Sequence, residues 1–78
     1  MIHATVMILV SKNTLYVNLG KVIKQGNLTI TNAEGITIFQ EQLSDTNYEV
    51  ITLDKPHGKY WLTIDSENKQ TRKSFLLK

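Results

Sequence analysis

Apolar and polar residues alternate with a period of two along most of this chain, and no window of about 11 or more residues carries a helical stripe. The pattern predicts strands at residues 2–10, 14–19, 27–32, 36–42, 48–53, 59–65 and 72–77. Seven short strands spaced roughly ten residues apart predict a β-sandwich with almost no helix. Between the second and third, the glycines of Gly20-Lys-Val-Ile-Lys-Gln-Gly26 bracket a connection in which Val22 or Ile23 would plug one end of the sandwich.

Turn chemistry fixes part of the pairing. In Lys55-Pro56-His57-Gly58, Pro56 presets φ at the second position of a type I turn and Gly58 suits the fourth. The strand that follows sets Tyr60, Leu62 and Ile64 on one face, with Trp61, Thr63 and Asp65 on the other. A tyrosine opening a late strand just after such a turn is where immunoglobulin-like sandwiches place a hydroxyl bonded to upstream backbone. The expected fold is therefore an all-β, seven-stranded, immunoglobulin-like antiparallel sandwich, formed as one domain over residues 1–78. In Asn32-Ala33-Glu34-Gly35, Asn32 starts a turn and Gly35 supplies a left-handed residue, so Asn32 should pair with Ile36 and Ile30 should face Ile38. A second hairpin closed through Ser66-Glu-Asn-Lys-Gln-Thr71 should set Tyr60 against Leu77, Trp61 against Leu76, Leu62 against Phe75 and Asp65 against Arg72. The expected core is Leu15, Val17, Leu28, Ile30, Ile38, Val50 or Ile51, Tyr60, Leu62, Ile64 and Phe75.

Composition removes many activities. The chain has no cysteine, which excludes a thiolate nucleophile, a thiolate-held metal and a disulfide across the core. A net charge of +2 spread along the chain, with one Trp, three Tyr and two Phe, does not build a nucleic-acid surface. No apolar run approaches the roughly 18 residues of a membrane-spanning helix. The 2–10 run lacks the basic start and cleavage site of a signal peptide and reads as a strand.

Several residues resemble a known pattern: Leu15-Tyr-Val17, Leu28-Thr-Ile-Thr-Asn32, a glycine turn followed by Ile36-Thr-Ile-Phe-Gln40, Gly58-Lys-Tyr-Trp-Leu-Thr-Ile64, and a basic-to-apolar last strand ending at Lys78. Over about residues 14–78 the chain resembles short secreted bacterial immunoglobulin-like domains of unknown function. It is also similar to the C-terminal sorting domains of the Por (type IX) secretion system. Those usually carry a Pro-Asn-Pro motif before the first strand, where this chain has Ser11-Lys12-Asn13-Thr14, and they follow a cargo, whereas this chain begins at Met1. The resemblance implies a secreted, periplasmic or cell-surface protein.

Candidate chemistry is sparse. His3 and His57 lack convergent metal ligands. Ser11, Ser44, Ser66 and Ser74 lack a nucleophile-elbow context. Asp65 and Glu67, with Ser66 and Asn68, supply oxygens at one hairpin tip but lack calcium-loop spacing. No enzyme and no cofactor is expected. Trp61 beside Leu76, flanked by Phe39 or Met7, is the candidate surface for a protein partner or a glycan, while Tyr60, Gly58, Pro56 and Gly35 are read as structural. The expected function is a noncatalytic extracytoplasmic module for protein interaction or envelope architecture, with type IX sorting and carbohydrate binding as alternatives.

Overall fold

A computed structural model describes residues 5–78. His3 and most of the expected 2–10 strand's first half lie outside the described residues. The described chain forms five strands, β1 (Met7–Ser11), β2 (Thr14–Thr31), β3 (Thr37–Thr52), β4 (Gly58–Ser66) and β5 (Lys69–Leu77), in one antiparallel sheet. The all-β antiparallel expectation holds, but among the described residues five strands in one curled sheet stand where a seven-stranded sandwich was expected. The expected segments 14–19 and 27–32 join into β2, and 36–42 and 48–53 join into β3.

The joining has a local cause. Where a loop was expected, β2 bulges between Asn18 and Ile23 and then resumes its ladder with β3. Val22 and Ile23 remain extended, as β-branched residues favour, and carry Lys21 with them in the strand. Opposite this irregularity β3 turns at Asp45, which has φ 48°. Extra residues in one strand bend it and increase its twist. The sheet therefore has two arms on a shared β2. The first arm runs β1-β2-β3 and the second β3-β2-β4-β5. The curl brings β1 near β5 without a ladder between them.

The inward faces of both arms supply the core. Leu15, Val17, Leu28, Ile30 and Leu62 are fully enclosed, and Val6, Leu19, Ile23, Leu43, Ile51, Leu53, Tyr60, Ile64, Phe75 and Leu77 complete the cluster. Each enclosed aliphatic side chain contributes about 1.5–3 kcal/mol relative to exposure. Ile51 resolves the choice with Val50, Ile23 the choice with Val22, and Ile38 packs at the margin.

The first hairpin closes as expected: Asn32 N–H donates to the Ile36 carbonyl at 2.9 Å, Gly35 sits at φ 85°, and the Asn32 side chain accepts from Glu34 and Ile36 N–H. One pair later a bulge at Ile38 shifts the ladder, so Ile30 faces Phe39 rather than Ile38. The second hairpin departs by two residues. Glu67 and Asn68, both with positive φ, make a two-residue turn closed by Ser66 and Lys69. Two left-handed residues match the twist of the flanking strands. Tyr60 consequently faces Phe75, Trp61 faces Ser74, Leu62 faces Lys73 and Asp65 faces Gln70. A shift of two preserves which residues point inward, so the core survives the error.

Candidate functional site

The expected tyrosine hydrogen bond is present. Tyr60 Oη donates to the Pro56 carbonyl at 2.6 Å, and its ring stacks on Phe75 with centroids 5.9 Å apart. The segment before it is open rather than a hydrogen-bonded type I turn among the described residues. Lys55 N–H donates to the Leu53 carbonyl, and Leu53 N–H to the Asn13 carbonyl. Pro56, His57 and Gly58 are exposed on this bend, which the buried Tyr60 anchors through its hydroxyl.

The outward face of the second arm is a polar lattice. One row is Gln42, Asn27, Asp65 and Gln70; the next is Gln40, Thr29, Thr63 and Arg72; the next is Thr37, Thr31, Trp61 and Ser74. Trp61 is half-buried because cations cover it. The Arg72 guanidinium lies 4.1 Å from the ring centroid and the Lys59 ammonium 5.1 Å from it. Asp65 accepts from the Gln70 amide at 2.9 Å instead of meeting Arg72. An open polar groove of ≈ 540 Å³ runs past Asn27, Gln42, Asp65, Asn68 and Lys69, away from Trp61. Among the described residues no group of three or more His, Cys, Asp or Glu could hold a metal ion.

The three residues expected to form one surface are not brought together. Trp61 has Thr31 and Ser74 as its strand neighbours, and Leu76 stands beside Lys59 on the exposed edge. Phe39 lies on the opposite, inward face, where it faces Ile30 and packs against the core. Met7 belongs to the other arm.

That other arm carries what the sequence reading missed. Its outward rows are Leu9, Tyr16 and Val50, then Met7, Asn18 and Tyr48. Leu9 is 67% exposed, Met7 63%, Val50 57% and Tyr48 48%. Apolar side chains from three neighbouring strands thus form one uncovered patch, the kind of surface that marks an interaction site. The signal was in the sequence: Met7-Ile-Leu-Val10 is apolar without alternation, and Val50-Ile51 is apolar at both parities. Such runs belong to strands covered on both faces.

Inward on β3, the bend at Asp45 brings Glu41 and Glu49 together, while Thr46 Oγ1 donates to Glu49 at 2.8 Å. The hydrogen bond with Glu49, partial burial and repulsion by the Glu49 charge push the Glu41 carboxyl up to about 7.

A family model described as the secretion system C-terminal sorting domain matches residues 11–78. The chain belongs to that family. The match spans β2 to β5 and the Tyr60 anchor, and of β1 it includes Ser11 alone. It begins at Ser11, the position where the missing Pro-Asn-Pro motif had favoured a stand-alone domain, so that departure does not set the chain outside the sorting family. A search of curated proteins finds no significant match.

Proposed function

We propose that this domain is a folded, noncatalytic address by which a passenger protein is recognised for type IX secretion and delivered to the cell surface. The family match over residues 11–78 carries this reading. It promotes what the sequence alone had ranked second, and it specifies the broader expectation of a protein-interaction module, since sorting is recognition by another protein. The bare apolar patch of Met7, Leu9, Tyr16, Tyr48 and Val50 supports it by supplying a surface suited to a protein partner. The Tyr60 to Pro56 hydrogen bond supports an immunoglobulin-like packing for the curled sheet. The glycan alternative has less support, because a sugar ring stacks on a bare indole face and Arg72 occupies that of Trp61.

Fusing the domain to the C-terminus of a secretable reporter tests the proposal. In a host with an intact type IX apparatus the reporter should reach the surface or medium, and in an isogenic host lacking the apparatus it should stay inside. Retention in both hosts, with the fusion folded and stable, overturns it.

A further inference from the structure

The second arm is a four-stranded sheet, β3-β2-β4-β5, and its two end strands carry opposite charge. β3 holds Glu41, Asp45 and Glu49 and no basic residue. β5 holds Lys69, Arg72 and Lys73 and no acidic one. Among the described residues each has a strand ladder on one side only, with β1 near β5 but not paired to it, so each presents backbone groups without a ladder partner on the other side. Among the described residues no ion pair neutralises either set. An open edge is a template for another strand.

We propose that these edges are complementary docking surfaces, and that β5 of one copy of this chain adds to β3 of a second, extending the sheet head to tail. Charge selects this pairing over the alternatives. Joining β3 to β3 would confront acids with acids, and joining β5 to β5 would confront cations with cations. Only the mixed pairing is attractive, and like-charge juxtaposition is how interfaces reject wrong partners.

The usable stretch of β3 runs from Phe39 to Leu43, between the bulge at Ile38 and the bend at Asp45. An antiparallel register with Lys73 opposite Glu41 is consistent along that stretch. It sets Phe75 beside Phe39 and Thr71 beside Leu43 on the inward face, with Ser74 beside Gln40 and Arg72 beside Gln42 on the outward face. Lys73 already points inward, opposite Leu62, yet remains exposed at the edge. In this register its ammonium meets the crowded Glu41 and Glu49 carboxylates. So short a ladder places the contact among weak, transient interfaces.

This inference is independent of the sorting proposal, because its readout is self-association of the purified domain rather than export. Sedimentation velocity over a rising concentration series at low salt tests it. The wild-type sedimentation coefficient should rise with concentration, and Lys73→Glu and Glu41→Lys should each weaken association by about tenfold or more. An equimolar mixture of the two variants should recover it, since each then offers the charge the other lacks. Far-UV circular dichroism checks that both fold, and Lys73→Gln replaces the reversal if Lys73→Glu does not. A wild-type chain that stays monomeric throughout the series overturns the proposal. So does association indifferent to charge reversal, or a mixture that fails to recover it.

Discussion

The outward faces of the two arms are built on the same strand and yet differ in kind. Along β2, Tyr16 lies in an apolar row between Leu9 and Val50, whereas Thr29 and Thr31 lie in polar rows with Gln40, Thr63 and Trp61. The one large aromatic on the polar side is screened by Arg72 and Lys59, and the apolar residues on the other side are left bare. Beneath both faces lies the same apolar core, from Leu15 and Val17 in the first arm to Leu28, Ile30 and Leu62 in the second. Stability therefore comes from the shared floor and does not require the two outward faces to differ. The comparison can be broken at the floor, at its anchor, at the faces and at the bend.

The largest effect is expected at the floor. Leu28 lies on β2 between Glu41 and Ile64 and is completely enclosed. Leu28→Ala should cost about 2–5 kcal/mol, from lost transfer energy and the cavity left behind. Chemical denaturation checks this, and both arms should unfold in one transition if the floor is shared. A variant that loses only the second arm would show that the arms are separate units. Next comes the anchor. Tyr60→Phe keeps the stack on Phe75 but removes the donor to the Pro56 carbonyl, and should cost about 0.5–1.5 kcal/mol in the same measurement.

The faces themselves separate stability from recognition. Replacing Leu9 and Val50 together by Lys should change stability by no more than about 0.5 kcal/mol each, as for most exposed positions. It should nevertheless abolish export of a fused reporter. Trp61→Ala should do the reverse, costing roughly 1 kcal/mol through lost cation–π and packing contacts while leaving export intact. If the Lys pair exports normally and Trp61→Ala does not, the assignment of the two faces is inverted.

How much of this was legible in the sequence follows from the range of each signal. Parity along a strand is local, so most inward positions, the Gly35 turn and the Tyr60 hydrogen bond could be read directly from their residues, while the bulge at Ile38 turned Phe39 inward against the expected parity. Register across the last hairpin was not legible, because it depends on Glu67 and Asn68 adopting left-handed φ, which a two-residue Glu-Asn turn signals more weakly than Asn-Gly would. That error moved Leu76 beside Trp61 and built a surface that the true register dissolves. The continuation of β2 through the Gly20–Gly26 segment was hidden for a different reason. Bracketing glycines suggest a loop, but Gly26 is needed for close packing, since a Cβ there would lie 2.6 Å from the Asp65 carbonyl oxygen. The contact between Glu41 and Glu49, which lie on opposite sides of the bend, is a consequence of curvature and has no sequence signature.

That contact gives the smallest predicted effect, and its sign is definite. Glu41 has an ordinary value of 4.5, and its carboxyl in the folded chain is pushed up to about 7, first by the hydrogen bond with Glu49. Between those values the folded state holds a proton that the unfolded state has released, so stability must fall as pH rises through the window. The penalty is fully present above the folded value and absent below 4.5. Glu41→Gln keeps a donor toward Glu49 without the charge. It should melt above wild type at pH about 8, and the gap should close by pH about 4.5, with a size under about 1 kcal/mol because water still reaches this half-buried pair at the sheet edge. Melting curves at the two pH values decide it. A gap of equal size at both would mean that the bend at Asp45 holds β3 in place without forcing the two carboxyls to share a proton, and that the curl between the arms carries no electrostatic strain.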